Sequence, residues 1–140
     1  MEFLRRFYDG EGYPLDEVAA RDALVGLLVP DSPDGRVWLI EHEGTAIGYL
    51  VVTFGYSIEY HGRDAFVDEL FIDAANRGRG IGSAVLQEAE RRCATLGVRA
   101  LHLEVERGND AGQALYRKLG FTDNARFLLT KRLDAAGRTQ

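Results

Sequence analysis

Residues 65–82 decide how the chain is read: Ala65-Phe66-Val67-Asp68-Glu69-Leu70-Phe71-Ile72, then Asp73-Ala74-Ala75-Asn76, then Arg77-Gly78-Arg79-Gly80-Ile81-Gly82. The first run is apolar and strand-like. The last opens an amphipathic helix that the spacing extends over residues 80–96. A strand, then glycines, then a helix start is a ready anion site. Glycine lets the backbone turn its N–H groups inward, and the helix start adds partial positive charge. Arg77 and Arg79 add two cations in an otherwise acidic chain. The expected guest is a phosphate group, and specifically a pyrophosphate.

Two familiar phosphate loops do not fit. A dinucleotide fingerprint needs a third glycine where this chain has Ser83, and no Gly-Lys-Ser or Gly-Lys-Thr run occurs. The pattern Arg77-x-x-Gly80-x-Gly82 instead resembles the acetyl-CoA signature of the GNAT N-acetyltransferase superfamily. A second segment strengthens the resemblance. Asn109 is followed by a small residue, Gly112, then by Leu115-Tyr116 and Gly120-Phe121. With the strands ahead of them, the two signatures cover about residues 36–133.

The resemblance implies direct acetyl transfer from acetyl-CoA to an amine, with no covalent intermediate. It places the coenzyme A pyrophosphate on Gly78, Arg79, Gly80, Ile81, Gly82 and Ser83, with Arg77 beside it. The pantetheine arm would pair with the strand at Leu70, Phe71 and Ile72. Asn109 and Gly112 would border the arm, and Tyr116 would protonate the departing thiolate. The chemistry agrees: the amine must lose a proton before it attacks, and a thiolate leaves better once protonated. Tyr116 lies about 100° around its helix from Leu115, so the two do not share a face. Gly112, one turn earlier, is expected to leave open space beside the ring.

For the base, Asp68 and Glu69 are the candidates. They fall on opposite strand faces, so at most one meets the acceptor, and Glu69 is preferred. Glu59, Tyr60, His61 and Tyr56 form a candidate acceptor wall. His42 and His102 have no partner visible in sequence. Cys93 falls on the apolar stripe of its helix and reads as core. Asn109 or Asp110 caps the last helix, and Asn109 can also touch the cofactor. Arg77 and Arg79 can contact phosphate or stay solvated.

Bulk properties narrow the remaining classes. The 140 residues, 46% apolar, suit one domain over 1–140 with one core. A net charge of −5 argues against nucleic acid and allows a cationic small-molecule or protein amine acceptor. One cysteine excludes an internal disulfide and a cysteine metal cluster, and no metal is expected. No signal peptide or membrane-length apolar run is visible, so a cytoplasmic protein without a membrane partner is expected.

In chain order, residues 2–9 predict a helix stopped by Gly10 and Gly12. A second helix runs from Pro14 or Asp16 to Leu28, with Ala20, Ala23, Leu24, Leu27 and Leu28 on its stripe. Three strands follow as a meander, at Val37–Glu41, Ile47–Ile58 and Arg63–Ile72, joined by turns at Glu43-Gly44 and His61-Gly62. Helix 80–96 buries Ile81, Ala84, Val85, Ala89, Cys93 and Leu96. Val98–Val105 predicts a strand, 110–119 a helix, Arg126–Leu133 a last strand, and Asp134–Gln140 a loose tail. A strand-helix-strand passage through 65–105 requires a parallel pairing. The expected fold is therefore α/β (α+β): a mixed, mostly antiparallel sheet flanked by helices. Measured against the family it resembles, no strand precedes the first helix: either the true start lies upstream, or the chain dispenses with that strand. In the second case the Val37–Glu41 edge is uncovered and open to a homodimer. Two rival functions stay open: a non-catalytic acyl-CoA-binding module, and transfer of a longer acyl group.

Overall fold

A computed structural model describes residues 1–133; the tail predicted over Asp134–Gln140 lies outside the described residues. Two helices, α1 (Glu2–Glu11) and α2 (Glu17–Leu28), precede β1 (Gly35–His42), β2 (Thr45–Ser57) and β3 (Gly62–Ile72). A short 3-10 turn, Ala74–Asn76, leads to α3 (Ile81–Thr95), β4 (Ala100–His102) and α4 (Asp110–Lys118). The sheet order is β1-β2-β3-β4, antiparallel except for the parallel pair β3-β4. This is the expected mixed sheet flanked by helices.

Local chemistry explains the boundaries. α1 continues through Gly10 and ends at Gly12, which takes the left-handed cap at φ 71°. α2 starts where the Asp16 side chain accepts from the Ala19 amide. On its stripe Ala20, Leu24 and Leu27 are half-buried, whereas Ala23 and Leu28 are exposed. Glu43 and Gly44, both with positive φ, form the two-residue hairpin loop between β1 and β2.

The sheet has two covered faces. Leu50, Val52 and Ala65 pack with Ala89 and Cys93 of α3. Tyr49, Val51 and Phe71 pack on the other face with Phe3, Leu4 and Phe7 of α1 and Leu27 of α2. In α3 the buried residues are Leu86, Ala89 and Cys93, while Ala84, expected inside, is exposed. β1 is an edge strand, and its Leu39 is 64% exposed.

Three departures matter for the site. β3 carries a bulge: Val51 pairs with Glu69 and Val52 with Val67, leaving Asp68 as the extra residue. The bulge resets strand parity. Ala65 and Val67, and then Leu70, pack toward α3, so Asp64, Phe66, Glu69 and Phe71 share the α1 face. Second, β4 is three residues long where eight were expected. It pairs with β3 only from Asp64–Ala100 to Phe66–His102. Beyond that rung the strands splay, and β3 from Val67 to Ile72 has a paired strand on its β2 side alone. Leu103 and Val105 still alternate inward without a partner strand, which is why their pattern reads as sheet. Third, Arg126–Leu133 is not a strand. Arg126 is held against the β2–β3 turn by two bonds to Glu59, at 2.9 and 2.7 Å, and Phe127 and Leu129 are 76% and 89% exposed. β-forming residues make a strand only where a pleated neighbour receives them.

Candidate active site at the β3–β4 wedge

The opening between β3 and β4 leads to the start of α3. Gly78 and Gly80 both take φ 76°, a left-handed conformation that glycine adopts without strain. Gly80 is the N-cap of α3, and no side chain caps that helix. Its first internal bond runs from the Ala84 amide to the Gly80 carbonyl, so among the described residues the amides of Ile81, Gly82 and Ser83 have no protein acceptor. By contrast, Asp16 and Asn109 cap α2 and α4 through their side chains. Space before the turn is open: a Cβ added at Gly78 or Gly80 would meet nothing within 4 Å. Three donors without protein acceptors, the helix dipole and an unfilled approach fit a diphosphate.

The two arginines differ. Arg79 is exposed. Arg77 donates from Nε to the Ile72 carbonyl at 2.8 Å, and its guanidinium lies 5.5 Å from the centre of the Phe71 ring. Arg77 thus ties the glycine turn to the end of β3. Leu70, Phe71 and Ile72 sit on the splayed part of β3, although Phe71 turns its ring into the α1-side core.

Asn109 caps α4 by accepting from the Gly112 amide at 2.9 Å. The space expected beside Gly112 is not open. An added Cβ there would lie 2.5 Å from Asn109 Nδ2 and 2.8 Å from its Cγ. Glycine is needed because the capping amide lies over it. Gly112→Ala should therefore dislodge the cap and cost about 1 kcal/mol, a loss that denaturant unfolding would measure. Unchanged stability would show that Asn109 can move aside freely. Tyr116 on the same helix is half-buried, in edge contact with Phe121 at 6.1 Å, and burial pushes its phenol pKa up. The group therefore stays protonated at neutral pH.

On the α1 face Glu69 is held by two phenols. Tyr8 donates to Oε2 at 2.6 Å and Tyr49 donates to Oε1 at 2.9 Å. Burial pushes the Glu69 carboxyl up, the two phenol bonds pull it down, and the Asp68 charge adds to the rise. The Tyr8 ring also stands edge-on to Tyr13 at 6.3 Å, and Tyr13 donates to Glu106 beyond β4 at 3.2 Å. The two tyrosines thus reach from β3 to the far side of the wedge. Beside them a cavity of about 290 Å³ is lined by Arg5, Tyr8, Asp9, Tyr13, Leu15 and Glu17.

Of the expected acceptor wall, Tyr56 and His61 are exposed and Glu59 is spent on Arg126. Tyr60 packs on His102 at 4.9 Å. His102 does have a partner: its Nε2 lies 3.0 Å from Asp64 Oδ2. Sequence reasoning missed Tyr8, Tyr49 and this pair. Their partners are 61, 20 and 38 residues away, and no local pattern marks them. Cys93 is buried, and burial raises its thiol pKa, as suits a core residue. Among the described residues no helix is long and apolar enough to cross a membrane.

Known proteins place this arrangement. The chain is 31% identical over 120 residues to an IAA acetyltransferase of Azospirillum brasilense, spanning 86% of this chain and 73% of that protein. It is 30% identical over 97 residues to the thialysine N-epsilon-acetyltransferase of Bos taurus, spanning 69% of this chain and about half, 52%, of that one. The fold superposes on an integron cassette protein from the mobile metagenome of the Cole Harbour salt marsh with a TM-score of 0.82. That match has 36% identity and covers 96% of this chain and 82% of that one. The profile of the acetyltransferase (GNAT) family matches residues 2–121, nearly the whole described chain. With that match lying over the glycine turn, the splayed strands and the Asn109–Phe121 helix, the chain belongs to the GNAT family of acetyltransferases.

Proposed function

We propose that this protein is an acetyl-CoA-dependent N-acetyltransferase in which a primary amine attacks the acetyl group directly within a ternary complex. The observation that carries the reading is the uncapped start of α3: three amides without protein acceptors, beside a strand edge that β4 has left. The amides of Ile81, Gly82 and Ser83 hold the diphosphate of coenzyme A. The free edge at Leu70–Ile72 offers backbone groups to the pantetheine amides, and Asn109 would border the same arm. Acetyl-CoA supplies the acetyl group in activated thioester form. A strand amide can polarise its carbonyl, and Tyr116, kept protonated by burial, stands as donor to the leaving sulfur.

The acceptor approaches from the α1 face. There Glu69, fixed by Tyr8 and Tyr49, offers a carboxylate to an ammonium group. The thialysine relative, named as an N-epsilon-acetyltransferase, supports nitrogen as the acceptor atom. The acceptor itself is a small-molecule or protein amine. The test is release of CoA thiol from acetyl-CoA across a panel of amines, with calorimetry of acetyl-CoA binding alongside. Amine-dependent thiol release is the expected result. Tight binding with no turnover on any amine would favour a non-catalytic acyl-CoA-binding module.

A further inference from the structure

Glu69 is a constrained base, because one lone pair on each oxygen already receives a phenol proton. A second carboxylate on the same face is arranged differently. Asp64 sits on β3 and His102 on β4, with side-chain exposures of 13% and 18%, and their 3.0 Å contact lies at the end of the paired region. His102 is level with Phe66 in the last β3–β4 rung, so it stands at the apex from which the strands open. The rings of Tyr60 and Phe66, each 4.9 Å away, fix the plane of its imidazole.

We infer that His102, oriented by Asp64, accepts the proton that the amine must lose before it attacks; this rests on the N-acetyltransferase reading. In neutral imidazole one nitrogen donates and the other accepts. With Nε2–H donating to Asp64, Nδ1 is the acceptor. No described group bonds Nδ1, and among the described residues no buried side-chain nitrogen lacks a partner, so Nδ1 reaches solvent. Strand rise puts His102 roughly 7–10 Å from Glu69, close enough to share one acceptor and too far to share one proton directly. The ammonium passes its proton to Nδ1, directly or through one water. The freed lone pair forms the new C–N bond. The C–S bond breaks, the leaving sulfur takes a proton from Tyr116, and the second proton shed by the newly bonded nitrogen restores the Tyr116 phenol. The imidazolium then returns its proton to solvent, so the sum is ammonium plus thioester giving amide, thiol and one proton. The charged and titratable groups around the ring are Asp64 from β3, Glu59 and Tyr60 from the β2–β3 turn, Arg126 paired to Glu59, and Glu104 further along its own chain.

The test compares wild type, His102→Gln, Asp64→Asn and Glu69→Gln by CoA thiol release against pH at saturating acetyl-CoA. Nitrogen-15 spectra of the ligand-free protein provide a readout apart from activity. His102→Gln should lower kcat about tenfold or more, leave KM for acetyl-CoA within about twofold, and abolish the acid limb of the rate profile. Asp64→Asn should lower kcat by a smaller factor, and its spectrum should lose the Nε2–H tautomer that wild type shows. An acid limb intact in His102→Gln, or one that vanishes in Glu69→Gln instead, overturns the inference. So does a wild-type spectrum with the proton on Nδ1, a result that needs no variant to fold. Turnover with an unmoved limb removes His102 alone, whereas no thiol release with any amine removes the transferase reading and this inference together.

Discussion

The Gly80→Asn variant should bind acetyl-CoA about 10²-fold more weakly while melting at the same temperature as the parent, or higher. Asparagine tolerates the left-handed backbone that Gly80 adopts, and it is among the best N-cap residues. Its side-chain oxygen would accept from the α3 amides that have no cap at present, stabilising the free helix by about 1 kcal/mol. The same oxygen would occupy the donors proposed for the diphosphate and set a negative dipole end against it. Losing charge-assisted bonds of about 1.5–3 kcal/mol corresponds to roughly 10- to 100-fold in affinity. Stability and affinity thus move in opposite directions, which general damage to the turn cannot imitate. Gly80→Val serves as the complement. A β-branched residue at φ 76° is strained by about 1–3 kcal/mol, so that variant should lose stability and affinity together. Calorimetric affinity unchanged in Gly80→Asn would move the diphosphate away from this helix.

What the sequence discloses here is what neighbouring residues determine among themselves. The glycine turn, the Asp16 and Asn109 caps and the Glu43-Gly44 hairpin were all legible, because each is settled within about four residues. The α3 face was read nearly correctly and mis-set at Ala84 and Leu86, since a helix rotated by a fraction of a turn keeps most of the same stripe. What was not legible depends on register between distant strands. The bulge at Asp68 puts Glu69 on the face of Asp64 and Phe66, a parity that alternation alone assigns the other way. The tyrosines on Glu69 and the Asp64–His102 pair follow from that register. The Arg126–Leu133 segment has strand composition but no strand beside it, and composition does not supply a neighbour. The glycine turn was therefore the readable half of the candidate site. The proposed acceptor side, drawn from α1, β2, β3 and β4, was the unreadable half.

Tyr116→Phe should reduce turnover by about 10² and leave acetyl-CoA affinity within about twofold. The substitution removes one oxygen and keeps the ring that meets Phe121 at 6.1 Å, so α4 keeps its packing. No described side chain or backbone group hydrogen-bonds the hydroxyl, so its removal leaves no partner unsatisfied in the folded chain. A stability change is therefore not expected, and a lower rate would report the missing proton. The pH profile supplies the sign. Burial raises the phenol pKa, so the proton is held through neutral pH and past the ordinary tyrosine range, and the alkaline decline of the wild-type rate should begin only there. In Tyr116→Phe the residual rate should lack that decline, because water then protonates the sulfur at every pH. A poorer thiol leaving group should also slow the variant more than wild type, since the deleted step assists departure of the sulfur. If turnover is unchanged, the sulfur leaves as a thiolate and takes its proton from water afterwards.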